Sequence, residues 1–208
     1  MKSASGETGA QQRRTSEKSK QILRGAAQVF LAQGYDRASM NQVAKMAGVS
    51  KQTLYAYFED KQALFKALVE RMAEQRFKEA FEEEILEGSP DVVLPQLIQQ
   101  SLARLTQDTE YHDFIRIMIG ESKNFPDLIQ VFLQNITLPS IKTISNYLRS
   151  RPELEIPDTE ATAHVLLGAL VFYILTQEVM AGKDILPMTT VRLSASLINL
   201  LGIQVDLS

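Results

Sequence analysis

The stretch from Ser39 to Lys61 constrains the fold more than any other part of the chain. It reads as a short helix, a glycine turn and a second short helix. Neither helix is long enough to stand alone in water, because nucleation is costly and few hydrogen bonds follow it. Both must be braced by neighbouring helices, which leaves the outer face of the second one free. Ser39 is a good N-cap, and Met40, Val43, Ala44 and Ala47 follow it at helical spacing. Gly48 supplies the backbone freedom for a tight turn and Val49 fills the corner. Ser50 caps the second helix, which runs from Lys51 to Phe58.

At about 100° per residue, Leu54 and Phe58 share one direction, which must be the core. Gln52, Thr53 and Ala56 lie within about 60° of the outward direction, and Tyr55 and Tyr57 fall on the flanks about 80° from the core. That layout fits a helix lying in the major groove of DNA. Gln52 can pair with adenine N6 and N7, Thr53 suits several base edges, and Ala56 can touch a thymine methyl. The two tyrosine hydroxyls would reach phosphates on either wall, with Lys61 and the capping Ser39 and Ser50 beside them. Lys51 is placed for a phosphate or a guanine. Helix–turn–helix shapes also occur in proteins that never touch nucleic acid, so the outward residues carry the argument.

The pattern Phe30…Gly34-Tyr35, Val43-Ala44, Ala47-Gly48-Val49-Ser50, Thr53-Leu54-Tyr55, Tyr57-Phe58 and Lys61…Leu64 resembles the DNA-binding domain of TetR/AcrR-type transcriptional regulators, over residues 18–66. The resemblance implies an all-helical homodimer that binds double-stranded DNA at an inverted-repeat operator and is released by a small-molecule effector. It places base reading on Lys51, Gln52, Thr53 and Ala56, and phosphate contact on Ser39, Ser50, Tyr55, Tyr57 and Lys61. It also implies repression, since a dimer occupying a promoter blocks polymerase. Two positions depart from the family pattern: Gln52 stands where a small residue is common, and Ala56 where a bulky one is. Operators of relatives therefore do not transfer. Further along, Ile119–Leu128 resembles the C-terminal domain of the AefR-like branch.

Charge distribution supports this reading. The net charge is −3, yet residues 11–66 hold 10 Lys and Arg against 4 Asp and Glu, and residues 67–208 hold 11 against 20. A basic module on an acidic body is the electrostatic footprint expected of a protein that meets phosphate through one part only. With no cysteine there is no disulfide or thiolate metal site, which fits a reducing cytosol and a cytoplasmic location. His112 and His164 are far apart and neither has metal-ligand spacing. No phosphate-binding glycine loop or nucleophile elbow occurs, so neither catalysis nor a cofactor is expected. Residues 1–15 read as a disordered arm without a signal peptide, with Arg13 and Arg14 as solvated tail charges.

The chain as a whole reads as all-α. A three-helix DNA-binding domain spans residues 16–64, and a larger helical effector-binding and dimerisation domain spans 65–208. The first helix covers 16–33 with Ile22, Ala26, Val29 and Phe30 on one stripe, and Gly34 ends it. A long helix from Lys61 to Glu87 follows, its charged second half expected as a solvated spoke. Further helices are predicted over 91–107, 111–123, 127–151, 158–181 and 189–201. From Ala161 to Leu175 the only polar interruptions are Thr162, His164 and Tyr173. That run is too short for a membrane span, and being apolar nearly all round it must be covered on both sides. Gly168 and Ala169, with Val191, Leu197 and Ile198 of the last helix, are assigned to an isologous dimer interface. Phe114, Met118, Phe125, Phe132, Tyr147, Phe172 and Tyr173, with His164 and Gln177 as polar groups, are assigned to a cavity for a small, mostly apolar ligand. The alternative is a dimeric helical interaction or adaptor protein whose head no longer reads DNA.

Overall fold

The computed structural model describes residues 4–81 and 86–203, and among these no strand occurs. Helix α1 (Ala4–Arg37) leads into α2 (Met40–Met46) and α3 (Lys51–Tyr57), and α4 (Lys61–Ala80) leaves them for the body. The body is built from α5 (Pro90–Gln107), α6 (Thr109–Glu121), α7 (Pro126–Phe132), α8 (Leu138–Arg149), α9 (Thr159–Ile174) and α10 (Thr190–Leu200). Gly34, at φ +76°, breaks α1 where the sequence ends it. In the other direction α1 reaches back to Ala4, into the stretch read as a disordered arm. Ala10, Gln11, Gln12 and Arg13 are good helix formers, and no proline interrupts the run. Residues 1–3 of that arm lie outside the described residues, as do the side chains of Arg13 and Arg14.

Two apolar cores organise the molecule. The first joins Ile22, Ala26, Val29 and Phe30 of α1 to Val43 and Ala44 of α2, Leu54 of α3, and Leu64, Phe65 and Leu68 of α4. Phe30, Tyr35 and Phe65 pack ring against ring at 4.9–5.8 Å between centroids. This core does not stop at the head. Phe114 and Met118 of α6 and Leu128 and Val131 of α7 are buried in it, and the Phe125 ring meets Tyr35 edge-on at 4.7 Å. The second core holds Val93, Leu94, Leu97 and Ile98 of α5 with Ile141, Ile144, Tyr147 and Leu148 of α8 and the inner faces of α9 and α10.

The helix expected over 127–151 is interrupted. Leu133–Thr137 widens into a π turn, with the Leu138 N–H donating to the Leu133 carbonyl. Pro139 explains it: proline has no N–H, and its ring clashes with the carbonyl of residue 135 unless the turn opens. A second π turn, Leu175–Val179, extends α9, and Arg116 of α6 donates to the Glu178 and Val179 carbonyls at 2.8 and 3.1 Å. The combined run Thr159–Val179 is long and apolar enough by composition to cross a membrane. In the fold it is a bundle helix, with Ala163, Leu166, Leu170, Tyr173 and Ile174 buried against the body.

Helix α4 ends at Ala80, earlier than Glu87, with the Phe81 N–H closing its last turn onto Phe77. Residues 82–85 of the expected spoke lie outside the described residues. The part that is described is not a solvated spoke. Met72 and Ala73 are buried, and Phe77 packs against Phe81 at 5.1 Å between centroids.

Candidate nucleic-acid interface and ligand cavity

Both short helices owe their starts to side-chain caps. Ser39 Oγ accepts from the Gln42 N–H while Gln42 Oε1 accepts from the Ser39 N–H at 2.9 Å, a reciprocal capping box. The Gln33 Oε1 in turn holds Gln42 Nε2 at 2.7 Å, tying α2 to the end of α1. Ser50 Oγ accepts the Thr53 N–H at 3.0 Å and meets the Thr53 hydroxyl at 2.8 Å. The Asp60 carboxylate caps α4 through the Ala63 N–H at 2.7 Å. Between the two short helices, Gly48 takes φ +62° and the Val49 N–H closes onto Ala44.

On α3, Leu54 is wholly buried and Phe58 packs partly against the same core. Lys51, Gln52, Tyr55 and Ala56 are exposed, and Thr53 and Tyr57 are half-buried. Among the described residues neither tyrosine hydroxyl has a hydrogen-bond partner, so both are available to an acceptor. Lys61 is placed differently from a free phosphate anchor. Its Nζ donates to the Tyr35 carbonyl at 3.0 Å and to Asp36 at 3.3 Å, and lies 4.3 Å from the Tyr35 ring centroid. Two of its three donors are thus engaged in closing the end of α1, leaving one without a partner among the described residues.

Sequence reasoning missed one residue on which the head depends. Gly25 lies where α1 crosses α2, and a Cβ there would stand 2.7–2.8 Å from the Ala47 backbone and side chain. The Ala47 carbonyl also accepts from Gln21 Nε2 at 2.7 Å. A glycine beside an apolar helical stripe was the available signal.

The body holds a cavity of about 440 Å³, open on one side, between α4, α5, α6, the Leu133–Thr137 turn, α8 and α9. Of the predicted lining residues, Phe132 and His164 border it. The others serve elsewhere. Phe114, Met118 and Phe125 brace the head, because α6 and α7 turn their large side chains toward α1 and α4. Tyr147 and Tyr173 belong to the second core, and the Tyr147 hydroxyl donates to the Gly88 carbonyl at 3.2 Å. Gln177 is buried and donates to the Leu186 carbonyl at 2.7 Å, while Phe172 is 63% exposed on the outer face of α9.

The missed lining is charged at one place, where α4 meets the α5–α6 junction. Arg76 of α4 is ion-paired with Asp108, the N-cap of α6, and with Glu79 at 3.2 Å. Its guanidinium stands 5.6 Å from the Tyr111 ring centroid. Burial pushes the Tyr111 phenol up to about 12, with Asp108 adding to the shift and Arg76 opposing it. Arg104 donates to the Glu79 carbonyl. These residues looked like ordinary surface charge because periodicity does not reveal which charged face is enclosed.

Among the residues assigned to the interface, Gly168 is exposed, Ala169 half-buried and Val191 71% exposed. Leu197 and Ile198 are corrected: both are buried within the protomer at 3% and 1% exposure, because the apolar stripe of α10 packs on α5. The outer apolar surface instead carries Val165, Phe172 and Leu200.

Two short capped helices joined at a glycine turn, with the polar face of the second turned outward on a helical body, make a helix–turn–helix head. Residues 22–68 match the family model for bacterial regulatory proteins of the tetR family, and residues 93–195 match the C-terminal domain of AefR-like transcriptional repressors. The chain belongs to the TetR family of DNA-binding transcriptional regulators. It is 38% identical over 60 residues to the uncharacterised regulator YvdT of Bacillus subtilis, spanning 29% of this chain and only 31% of that relative. Its fold is similar to a TetR-family regulator from Mesorhizobium loti, with a TM-score of 0.79 at 23% identity, covering 90% of this chain and 96% of that one. A second solved structure, the flavonoid-responsive regulator FrrA, gives a TM-score of 0.68 at 26% identity over 89% of this chain and 95% of that one.

Proposed function

We propose that the protein is a homodimeric repressor that binds an inverted-repeat operator and is released when a small, mostly apolar ligand fills the cavity. The observation that carries this reading is α4. Its first half contributes Leu64, Phe65 and Leu68 to the head core, and its last turns contribute Arg76, Glu79, Ala80 and Phe81 to the cavity wall. Any change in cavity shape therefore acts on the helix that aims the reading head. Release requires that the ligand bind the DNA-free conformer more tightly than the bound one, since only differential affinity shifts the balance. FrrA, named as flavonoid-responsive, is a related protein in which a small molecule acts as the signal.

The outer faces of α9 and α10 pair with a second copy. Val165, Phe172, Val191 and Leu200 expose apolar surface there, and Gly168 allows close approach. Lys51, Gln52, Thr53 and Ala56 read bases, while Ser39, Ser50, Tyr55, Tyr57 and the remaining donor of Lys61 contact phosphates. Such a protein works in the cytoplasm, where the bacterial chromosome lies. The test is selection of bound sequences from random DNA at two salt concentrations. An inverted repeat with affinity falling steeply as salt rises is expected. Sequence-independent binding by ligand-free protein would refute the reading.

A further inference from the structure

The cavity lining carries a chemical specification that goes beyond its size. Four charged residues border it, and they balance: Arg76 and Arg104 against Glu79 and Asp108. The Arg76 guanidinium is held by two carboxylates, so it is not a vacant anion site. The rest of the wall is aliphatic, led by Leu94, Leu97, Ile98, Ile141, Ile144 and Leu166. Arg104 has no carboxylate partner among the described residues, but it is exposed and bonded to the Glu79 carbonyl, so an ion pair there is solvated and worth little. Deeper in the cavity an anionic ligand would have to displace a carboxylate from Arg76 or lose its hydration against the aliphatic wall, and either is costly.

Uncharged hydrogen-bonding groups are, by contrast, left open. Ser101, Tyr111, Thr137 and Ser140 all border the cavity, and none of their hydroxyls has a partner among the described residues. Ser140 is only 4% exposed, so its hydroxyl has little access to bulk water. On the α9 wall, His164 Nδ1 lies 2.9 Å from the Glu160 carbonyl. A carbonyl only accepts, so Nδ1 carries a proton and Nε2 is the ring atom left to meet a ligand. The unpartnered Tyr111 phenol is a donor as well.

We propose that the cavity selects uncharged, largely apolar molecules bearing a hydroxyl or carbonyl group, and discriminates against the carboxylates and phosphate esters of the same skeletons. The inference rests on the reading that this cavity is the effector site. Its volume of about 440 Å³ is within the range of small-molecule pockets.

A matched pair of probes tests it. Titration calorimetry of the full chain at pH 7 with 4-nonylphenol and with 4-nonylbenzoate compares one apolar skeleton carrying a neutral hydroxyl or an anion. At least tenfold tighter binding of the phenol is expected, and Ser140→Ala together with Thr137→Val should weaken it severalfold without changing the melting temperature by more than a few degrees. Equal or tighter binding of the benzoate would overturn the proposal, and so would binding of neither compound. The regulatory reading fails separately: if the phenol binds selectively but leaves affinity for the selected DNA unchanged, the specificity stands and the release mechanism falls.

Discussion

Gly25→Ala sets two effects of opposite sign against each other, and the structure decides which wins. In the middle of a helix, replacing glycine by alanine ordinarily stabilises by about 1 kcal/mol, because the unfolded chain loses freedom. At Gly25 the added methyl would stand 2.7 Å from the Ala47 nitrogen and 2.8 Å from its Cα and Cβ. Two of these are backbone atoms at the start of the Gly48 turn and the third is fixed to them, and the Ala47 carbonyl is held by Gln21. They cannot give way without moving α2 and, with it, α3. Overpacking of this kind costs about 1–3 kcal/mol, and contact with backbone belongs toward the upper end. The net expectation is a loss of about 1–2 kcal/mol. Gly120→Ala is the control: it lies near the end of α6, where an added methyl would meet nothing within 4 Å, and should gain about 0.5 kcal/mol. Urea unfolding followed by far-UV circular dichroism compares the two, and DNA binding should weaken for Gly25→Ala alone. If both variants raise the urea midpoint alike, the close-approach argument is refuted.

Further expectations concern the reading head and the cavity. Gln52→Ala should cost about 1–3 kcal/mol against the preferred operator and relax selectivity at one base position, measured by competition with single-base operator variants. Equal losses on every sequence would mean that Gln52 touches only the backbone. Lys61→Met should lower stability by about 1–2 kcal/mol through the lost Tyr35 and Asp36 carbonyl bonds, visible in urea unfolding without DNA. Stability should fall as pH rises from about 10 toward 12, because the unfolded Tyr111 ionises first while the folded phenol stays protonated. Its share is about 1 kcal/mol by about pH 11, and Tyr111→Phe should remove that share from the unfolding profile.

The head was legible because its information is local. Caps at Ser39 and Ser50, a glycine turn and helical spacing all act within a few residues, and each appears in the structure where the sequence places it. The cavity was not legible in the same way. Phe114 and Phe125 have the composition of pocket residues, yet tertiary packing sends them to the head, and nothing in their spacing distinguishes the two destinations. Leu197 and Ile198 posed the same problem for the interface, since a stripe that packs inward and one that awaits a partner share a period. Arg76 and Asp108 were hidden because their pairing joins distant segments.

Helix α4 runs unbroken from Lys61 to Ala80. At about 1.5 Å of rise per residue, Arg76 is about 22 Å along it from Lys61. A tilt of about 5° pivoting at the cavity would carry the head about 2 Å sideways over that length. Two heads moving in opposite senses would separate by about 4 Å, slightly more than the rise of one base pair, about 3.4 Å. A ligand that tilted α4 this far would put a pair of heads out of step with half-sites they had fitted, and because each added base pair also turns the DNA by about a tenth of a helical turn, no neighbouring spacing would restore the fit.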